Sequence, residues 1–265
     1  MYRKQFGLTR HPFAKELSPD ELFVSQGGRE LEVRLGHLLE LRGIGLVTGE
    51  VGSGKTTLCR KVVAGLHTGL YRVFYVPLTT GNAMDMYKSI AWELGLPTER
   101  SRAALYKCIR DEVTRLCSEN KLRPLLIVDE AQHLRSDVLE DLRLLTNYEM
   151  DSQNRLCLLL IGQVELRRRL GLAVHEALNQ RIVVRHHLAG LARDEVPLYL
   201  EHLLRLAGTQ LPLFDTSAVE ALFQATNGLP RKLNLLAHHA LMAAALAKAK
   251  AATAEHVQAA LPEAA

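Results

Sequence analysis

The sequence predicts an α/β protein in which a parallel sheet is followed by a small domain built only of helices. Up to about residue 190, five short apolar and β-prone runs alternate with stretches long enough for crossover helices. Beyond that point only helical patterns follow. A glycine-rich loop joins the first apolar run to a helical pattern, as is typical of parallel sheets that bind phosphates. We therefore predict an α/β domain over residues 1–190 and a helical domain over residues 191–265.

The individual elements follow from apolar periodicity and from local start and stop signals. The predicted strands cover residues 45–48, 72–77, 125–129, 156–162 and 182–186. The predicted helices of the second domain cover residues 193–206, 217–225, 230–249 and 253–260. Ser217 with Glu220 has the spacing of a capping box, Gly228 is a stop signal, and Pro230 suits the first position of a helix. Pro197 is tolerable only in a first turn, so its helix must begin close to it.

The composition is that of an ordinary globular protein. The chain has 265 residues, of which 48% are hydrophobic and 23% charged, which is enough to bury a substantial core. It begins without the apolar segment of a signal peptide, and no run approaches the ~20 apolar residues that span a bilayer. We expect a cytoplasmic protein with no membrane partner. The net charge of +4 permits a polyanionic partner without requiring one.

The cysteines and histidines indicate neither a disulfide framework nor a metal centre. No C-x-x-C spacing relates the four cysteines, so we expect free thiols, mostly buried, in a reducing compartment: Cys59, Cys108, Cys117 and Cys157. The 11 histidines form no H-E-x-x-H pattern. We expect no metal site other than the Mg²⁺ that accompanies a nucleotide.

The glycine-rich loop fits the phosphate-binding pattern G-x-x-x-x-G-K-[ST] at every fixed position. Its glycines let the backbone curl around phosphates, while the Lys55 ammonium can reach the β and γ oxygens and the Thr56 hydroxyl can hold Mg²⁺. Both flanks are correct, because an apolar run precedes the loop and a helical pattern follows it. We predict that ATP and Mg²⁺ bind through Gly49, Glu50, Val51, Gly52, Ser53, Gly54, Lys55, Thr56 and Thr57.

A second element indicates hydrolysis as well as binding. The continuous apolar run at 125–128 ends in two acids, Asp129 and Glu130, in the manner of a Walker B strand. Asp129 is placed to join Thr56 in the Mg²⁺ shell, and Glu130 is placed to orient or deprotonate the attacking water. Taken alone, the two acids could be no more than the polar start of a loop. Combined with the phosphate-binding loop, they predict a Mg²⁺-dependent ATPase with Lys55, Asp129 and Glu130 in catalytic roles.

Six segments occur in the order found in one known family. They are Tyr2-Arg3-Lys4-Gln5-Phe6-Gly7-Leu8 with Pro12-Phe13, the loop from Gly49 to Thr57, Asp129-Glu130-Ala131-Gln132, Ile161-Gly162-Gln163, Asn179-Gln180-Arg181-Ile182 and Gly228-Leu229-Pro230-Arg231. On these segments the chain resembles AAA+ ATPases of the ExeA/TniB/TnsC type. The resemblance implies a parallel-sheet P-loop NTPase core with an all-α lid. One branch of the family contains secretion-pathway ATPases, which continue into a membrane anchor, and another contains helper ATPases of DNA transposons. Because the sequence stops just after the predicted lid, we expect the transposition helper.

The resemblance also assigns roles to three further residues. Gln163 matches the sensor that touches the γ-phosphate or the water, although it could simply be a polar cap on a core strand. Arg181 matches the finger that reaches the γ-phosphate of a neighbouring subunit; Arg185 is the rival, and either could instead form a structural ion pair. Arg231 matches the lid arginine that couples the nucleotide state to the lid angle, with a plain surface arginine as the alternative.

Nucleic-acid contact can be argued only from charge, because no pattern here reads bases. Residues 100–123 are rich in arginine and lysine and residues 165–187 in arginine, although such runs are usually solvated faces. Initiator-type relatives carry an extra helix near DNA where this chain has residues 79–95. The candidate DNA contacts are Lys88, Arg100, Arg102 and Lys107, whereas we expect the apolar residues of that helix to pack inside the protein: Met84, Met86, Ile90 and Trp92.

Together these expectations describe a switch driven by ATP. The resemblance implies a homo-oligomer, either a ring or a helical filament, that assembles on duplex DNA without sequence preference and marks a target for a transposase, with or without an adaptor protein. The first alternative is a secretion-pathway ATPase that acts on protein partners. The second is a nucleotide-dependent scaffold with little turnover.

Overall fold

The computed structural model describes residues 2–77 and 82–264. The chain divides into two compact units. One unit joins the N-terminal residues up to Arg29, the short segment Glu50–Gly54 and the chain from Ala189 onward. The other contains Glu30–Gly49 and Lys55–Leu188, and it holds the sheet. Within the described residues, no helix combines the length and apolar content that crossing a bilayer requires.

The sheet has five strands, all parallel, in the order β2-β3-β4-β1-β5. Every predicted strand is present, and the predicted ends differ from the observed ones by no more than two residues. The strands are β1 (Ile44–Gly49), β2 (Tyr71–Val76), β3 (Arg123–Val128), β4 (Cys157–Gly162) and β5 (Ile182–Leu188). The inner strands β1, β3 and β4 are almost entirely buried, which explains their continuous apolar runs. The predicted α/β class is confirmed.

Helices cover both faces of this sheet, and alternate residues of β4 point to the two faces. The first eight helices of the chain are α1 (Tyr2–Gln5), which belongs to the other unit, α2 (Gln26–Leu41), α3 (Lys55–Ala64), α4 (Ala83–Glu93), α5 (Arg102–Ser118), α6 (Ser136–Leu145), α7 (Val164–Leu170) and α8 (Glu176–Arg181). Leu158 and Leu160 pack in one core with α4, α5 and α6, whereas Leu159 and Ile161 pack in another with α2 and α3. Trp92 was expected to pack inside the protein, and this expectation is wrong. It lies in the last turn of α4, where it is 64% exposed.

The other unit has its own core, formed by α1, α9 (Glu195–Leu206), α10 (Thr216–Thr226), α11 (Pro230–Leu246) and α12 (Ala254–Ala264). The N-terminal segment belongs to this core: Tyr2, Phe6 and Leu8 are buried there, and the Tyr2 hydroxyl lies 3.0 Å from Nδ1 of His238. The compact units therefore differ from the predicted division at 190/191, because the N-terminal residues find their apolar partners among helices far along the chain.

The helix-end signals of this unit are only partly as predicted. Pro230 is the first residue of α11, as expected, and Pro197 lies in the first turn of α9. The predicted capping box at Ser217 is wrong. The N-cap of α10 is Asp215, whose carboxylate accepts a hydrogen bond from the N–H of Ala218 at 2.7 Å. Ser217 lies inside the first turn and donates its hydroxyl to the same oxygen.

We predict that Asp215→Ala lowers the free energy of unfolding by about 1 kcal/mol, because it removes the N-cap of α10. Asp215→Asn should stay close to wild type at neutral pH, since asparagine caps about as well as aspartate. Hydrogen bonds from Ser217 and Ala218 hold the pKa of Asp215 below its ordinary value of 3.8. The stability that this ionised carboxylate contributes is therefore fully present above its ordinary pKa and is lost as the pH falls through its lowered pKa in the folded protein. Asp215→Asn has no carboxylate at this position and should not show that loss. Urea unfolding across pH measures both effects; equal stability of Asp215→Ala and wild type would contradict the cap.

Candidate functional site

Three of the predicted site residues lie where parallel strands of the sheet end. Gly49 ends β1, Asp129 directly follows β3, and Gln163 directly follows β4. The sheet pairs β3 with β4 and β4 with β1, so the ends of these three strands are neighbours. The carboxyl ends of parallel strands share one edge, so this edge is where a ligand of the sheet would bind.

The Asp129 carboxylate is the best-connected group at this edge. Its side chain is buried, and Oδ2 accepts hydrogen bonds from the Thr56 hydroxyl at 2.7 Å and from the Tyr75 hydroxyl at 2.9 Å. Oδ1 accepts from the backbone N–H of Glu130 at 2.8 Å. The structure thus brings together the two residues predicted to hold Mg²⁺, a cation that prefers oxygen ligands and usually needs only one or two from the protein.

Tyr75 is a member of this cluster that sequence reasoning missed. It lies on β2, where alternate residues point to the two faces of the sheet, and nothing in an aromatic residue of a strand signals a partner far along the chain. Burial, and then its hydrogen bond to Asp129, raise the pKa of the Tyr75 hydroxyl well above its usual range. Tyr75 therefore stays protonated and remains a donor to Asp129 at physiological pH.

Lys55 opens helix α3 and is largely buried. Its Nζ donates a hydrogen bond to the carbonyl oxygen of Gly49 at 3.0 Å. An ammonium group held near the first backbone N–H groups of a helix makes a strongly positive location, which suits phosphate oxygens. Cys59, one turn further along α3, is a free thiol whose pKa burial raises to about 12, with the Asp129 charge adding to the effect. It is therefore an unreactive packing residue.

The segment Glu50–Gly54 has the backbone that a phosphate cradle needs. Gly52 and Gly54 have φ angles of +80° and +94°, which only glycine adopts readily. Ser53 is buried, and in the described part of the chain its Oγ has no hydrogen-bond partner. An orphaned buried hydroxyl in such a loop fits a site for an anion that supplies the missing bond.

Arg231 lies against this segment. Its backbone N–H donates to the carbonyl oxygen of Gly52 at 3.2 Å, and a Cβ added to Gly52 would come within 2.6 Å of the Arg231 Cβ. Gly52 is therefore needed both for its φ angle and for this close approach. Within one compact unit, the structure thus brings together the segment Glu50–Gly54 and Arg231, two predicted nucleotide-binding features from distant parts of the sequence.

Glu130 and Gln163 meet through a residue to which the sequence assigned no role. The backbone of Glu130 is left-handed, with φ of +51°, and its carboxylate accepts a hydrogen bond from Nε2 of Gln132 at 2.6 Å. Oε1 of Gln132 in turn accepts the backbone N–H of Gln163 at 3.1 Å. The predicted sensor thus joins the network through its backbone. The signal that could have found Gln132 is its place in the Asp129-Glu130-Ala131-Gln132 segment.

The two candidate finger arginines both have partners within the chain. Arg181, the last residue of α8, forms an ion pair with Asp151. Arg185, on β5, donates to the carbonyl oxygen of Asn179. Arg181 therefore forms the structural ion pair that the sequence analysis left open, whereas Arg185 is held by a backbone carbonyl oxygen. The choice between them as a finger stays a prediction.

The four predicted DNA contacts differ in exposure and in pairing. Arg102 forms an ion pair with Asp141, whose side chain is only 5% exposed, so much of its charge is compensated. Lys88, on α4, is half-buried, whereas Arg100 and Lys107 are exposed. Part of the predicted insert at 79–95, namely residues 79–81, lies outside the described residues.

Comparisons with known proteins identify the family and the fold. The family described as AAA domain matches residues 38–170. General secretion pathway protein A of Aeromonas hydrophila is 37% identical over 247 residues, which are 92% of this chain and 45% of that protein, so the chain spans less than half of that relative. Two solved structures share the fold at 20% identity. For Cdc6p from Pyrobaculum aerophilum the TM-score is 0.67, and the match covers 99% of this chain and 71% of that one. For the Aeropyrum pernix ORC1 protein in complex with DNA the TM-score is 0.64, and the match covers 91% of this chain and 66% of that one.

We predict that Lys55→Ala weakens the binding of Mg²⁺-ATP by about 100-fold, because a charge-assisted contact to the phosphates is lost. Isothermal titration calorimetry measures this directly. Lys61→Ala is the matched control, since Lys61 lies on the same helix but pairs with Glu32 at 2.8 Å. If Lys55→Ala bound Mg²⁺-ATP with the affinity of wild type, the glycine-rich loop would not be the phosphate-binding site.

Proposed function

Because the chain belongs to the AAA domain family, we propose that it is an ATPase that binds ATP with Mg²⁺ and hydrolyses it to ADP and phosphate. The observation that carries the proposal is the 2.7 Å hydrogen bond between the Thr56 hydroxyl and the buried Asp129 carboxylate. It links the residue that follows the phosphate-loop lysine to the residue that directly follows the Walker B strand β3. Structural hydrogen bonds are common, but the bond between Thr56 and Asp129 joins two motifs that, in this proposal, bind the same Mg²⁺-ATP.

Each residue of the site has a definite task in this proposal. Lys55 offsets the negative charge of the β- and γ-phosphate oxygens, while backbone N–H groups from Gly49 to Thr57 hold the phosphates. Thr56 and Asp129 hold Mg²⁺, which neutralises charge on the phosphates when bound. Glu130 orients the attacking water and accepts its proton, Gln163 lies beside the reacting group, and Arg231 contacts the nucleotide.

We further propose that the working form is a homo-oligomer, a ring or a helical filament. In it, Arg181 of one subunit stabilises the charge that develops on the γ-phosphate bound by the next. The ion pair of Arg181 with Asp151 would have to be exchanged for that contact. Hydrolysis would then depend on assembly.

The partner that we favour is a protein. General secretion pathway protein A, at 37% identity, supports a secretion-pathway type of ATPase whose nucleotide cycle acts on protein partners. The chain spans 45% of that relative, so the proposal covers the ATPase part and its cycle.

Duplex DNA, bound without sequence preference, is the second candidate. The exposed Arg100 and Lys107 at the start of α5 favour it, as does the net charge of +4, which would add up across an oligomer. The ORC1 protein of similar fold is in complex with DNA. In this version the chain would serve a transposase, with or without an adaptor protein.

Turnover with and without duplex DNA, across low and moderate salt, separates the two partners. Stimulation by DNA that weakens steeply with salt would support the transposition helper. Turnover that ignores DNA at every salt concentration would support a protein partner. Electron micrographs of the same mixtures would show whether rings or filaments form.

We predict that Glu130→Gln keeps Mg²⁺-ATP binding close to wild type but lowers turnover by about 100-fold or more, because the amide cannot accept the proton of the water. A coupled phosphate-release assay measures turnover. Glu119→Gln, an exposed glutamate next to α5, is the control and should leave turnover unchanged.

Two outcomes would contradict the proposal in different ways. Turnover of Glu130→Gln at the wild-type rate would exclude Glu130 as the base. Tight ATP binding by wild type with no more turnover than Lys55→Ala would favour a nucleotide-dependent scaffold.

A further inference from the structure

The side chain of Gln132 bridges the proposed catalytic base and the end of the neighbouring strand. Nε2 donates to the Glu130 carboxylate at 2.6 Å, and Oε1 accepts the Gln163 N–H at 3.1 Å. The orientation of the amide is fixed by its partners, since a carboxylate can only accept and a backbone N–H can only donate. Gln132 is half-buried, and its bond to the Gln163 N–H is partly shielded from competing water, whereas its bond to Glu130 is exposed to solvent.

The turn that carries Gln132 is fastened to the same part of the sheet. Arg169, on α7, donates one guanidinium N–H to the carbonyl oxygen of Gln132 and another to that of Leu134, both at 2.7 Å. Between these residues and β3, Ala131 is fully buried. Because α7 begins directly after Gln163, both the backbone and the side chain of Gln132 are anchored to one element.

A glycine leaves room for the bridge. A Cβ added to Gly162, the last residue of β4, would lie 3.0 Å from Oε1 of Gln132 and 2.7 Å from Cδ2 of Leu166. Any other residue there would push on the amide or on a core leucine. The close approach of the Gln132 amide to the strand end is therefore built into the sheet.

Glu130 is the group that this arrangement controls. Its backbone is held in a left-handed conformation with its N–H on Asp129, but its side chain is exposed. An exposed glutamate samples several rotamers, and a base that must meet one water in one geometry loses rate when it is displaced by even 1 Å or so. A fixed amide donor reduces this freedom.

We propose that Gln132 is a positioning residue for hydrolysis, which holds the Glu130 carboxylate at a set distance from the end of β4. The inference rests on the proposed ATPase function and adds to it the residue that orients the base. Gln132 touches neither nucleotide nor water in this role and acts through Glu130.

The experiment compares Gln132→Ala with wild type in steady-state turnover and Mg²⁺-ATP binding. We expect kcat to fall by about 10- to 100-fold with KM and ATP affinity unchanged, since the base is misplaced while the phosphate site is intact. Gln132→Glu keeps the acceptor for the Gln163 N–H but cannot donate to Glu130, and should be at least as slow. His133→Ala, an exposed neighbour in the same turn, is the control and should turn over as wild type does.

A double-mutant cycle distinguishes positioning from a general structural role. In the Glu130→Gln background, Gln132→Ala should have no further effect on kcat, because the group that it orients is already inactive. Independent, multiplicative losses would overturn the inference. A raised kcat of Gln132→Ala would also overturn it, because Gln132 would then restrain hydrolysis. So would a fall in the ATP affinity and in the thermal unfolding midpoint of Gln132→Ala that is large enough to account for the lost rate.

The failure of this inference is distinguishable from failure of the proposed function. Wild-type turnover that equals that of Gln132→Ala, and exceeds that of Glu130→Gln, would overturn the role of Gln132 alone. Wild-type turnover no greater than that of Lys55→Ala would overturn both.

Discussion

A buried carboxylate is unfavourable unless donors surround it, and the site is organised around one such group. Asp129 follows the interior strand β3 and receives hydrogen bonds from Thr56, Tyr75 and the N–H of Glu130. These donors come from α3, from β2 and from the turn after β3, so satisfying one charge fixes three elements relative to one another. The left-handed backbone of Glu130 accompanies this arrangement, since its own N–H turns back to Asp129. The position of Glu130, and hence the bridge through Gln132, depends on it.

The parts of the fold and site that could be predicted are those encoded in short stretches of sequence. The interior strands β1, β3 and β4 were predictable because an interior parallel strand must be apolar on both faces. The edge strands β2 and β5 were predictable from their short runs of β-prone residues, although they are not buried along their whole length. The positive φ angles of Gly52 and Gly54 are likewise a local requirement of the loop.

What could not be predicted depends on residues far apart in the sequence. Tyr2 packs beside His238, and no local pattern distinguishes that contact from an unattached N-terminus. A capping motif can be satisfied at two nearby positions, and the choice of Asp215 over Ser217 depends on where the chain turns into α10. Runs of arginine were the least informative signal, because an arginine counted in the sequence can already be paired within the folded protein and is then less available to a ligand. Arg102 and Arg181 form ion pairs, and Arg169 is committed to two carbonyl oxygens.

The exposed Trp92 gives this protein an unusual optical property. It is the single tryptophan of the chain, and its indole lies in the last turn of α4, in contact with water rather than with the core. Its emission in the folded protein should already resemble that of an indole in water, so unfolding of the sheet will change it little. The same fluorescence is well placed to register any molecule that covers this end of α4, by a blue shift or by protection from a dissolved quencher. The chain thus carries a built-in reporter of surface contact and needs no added dye.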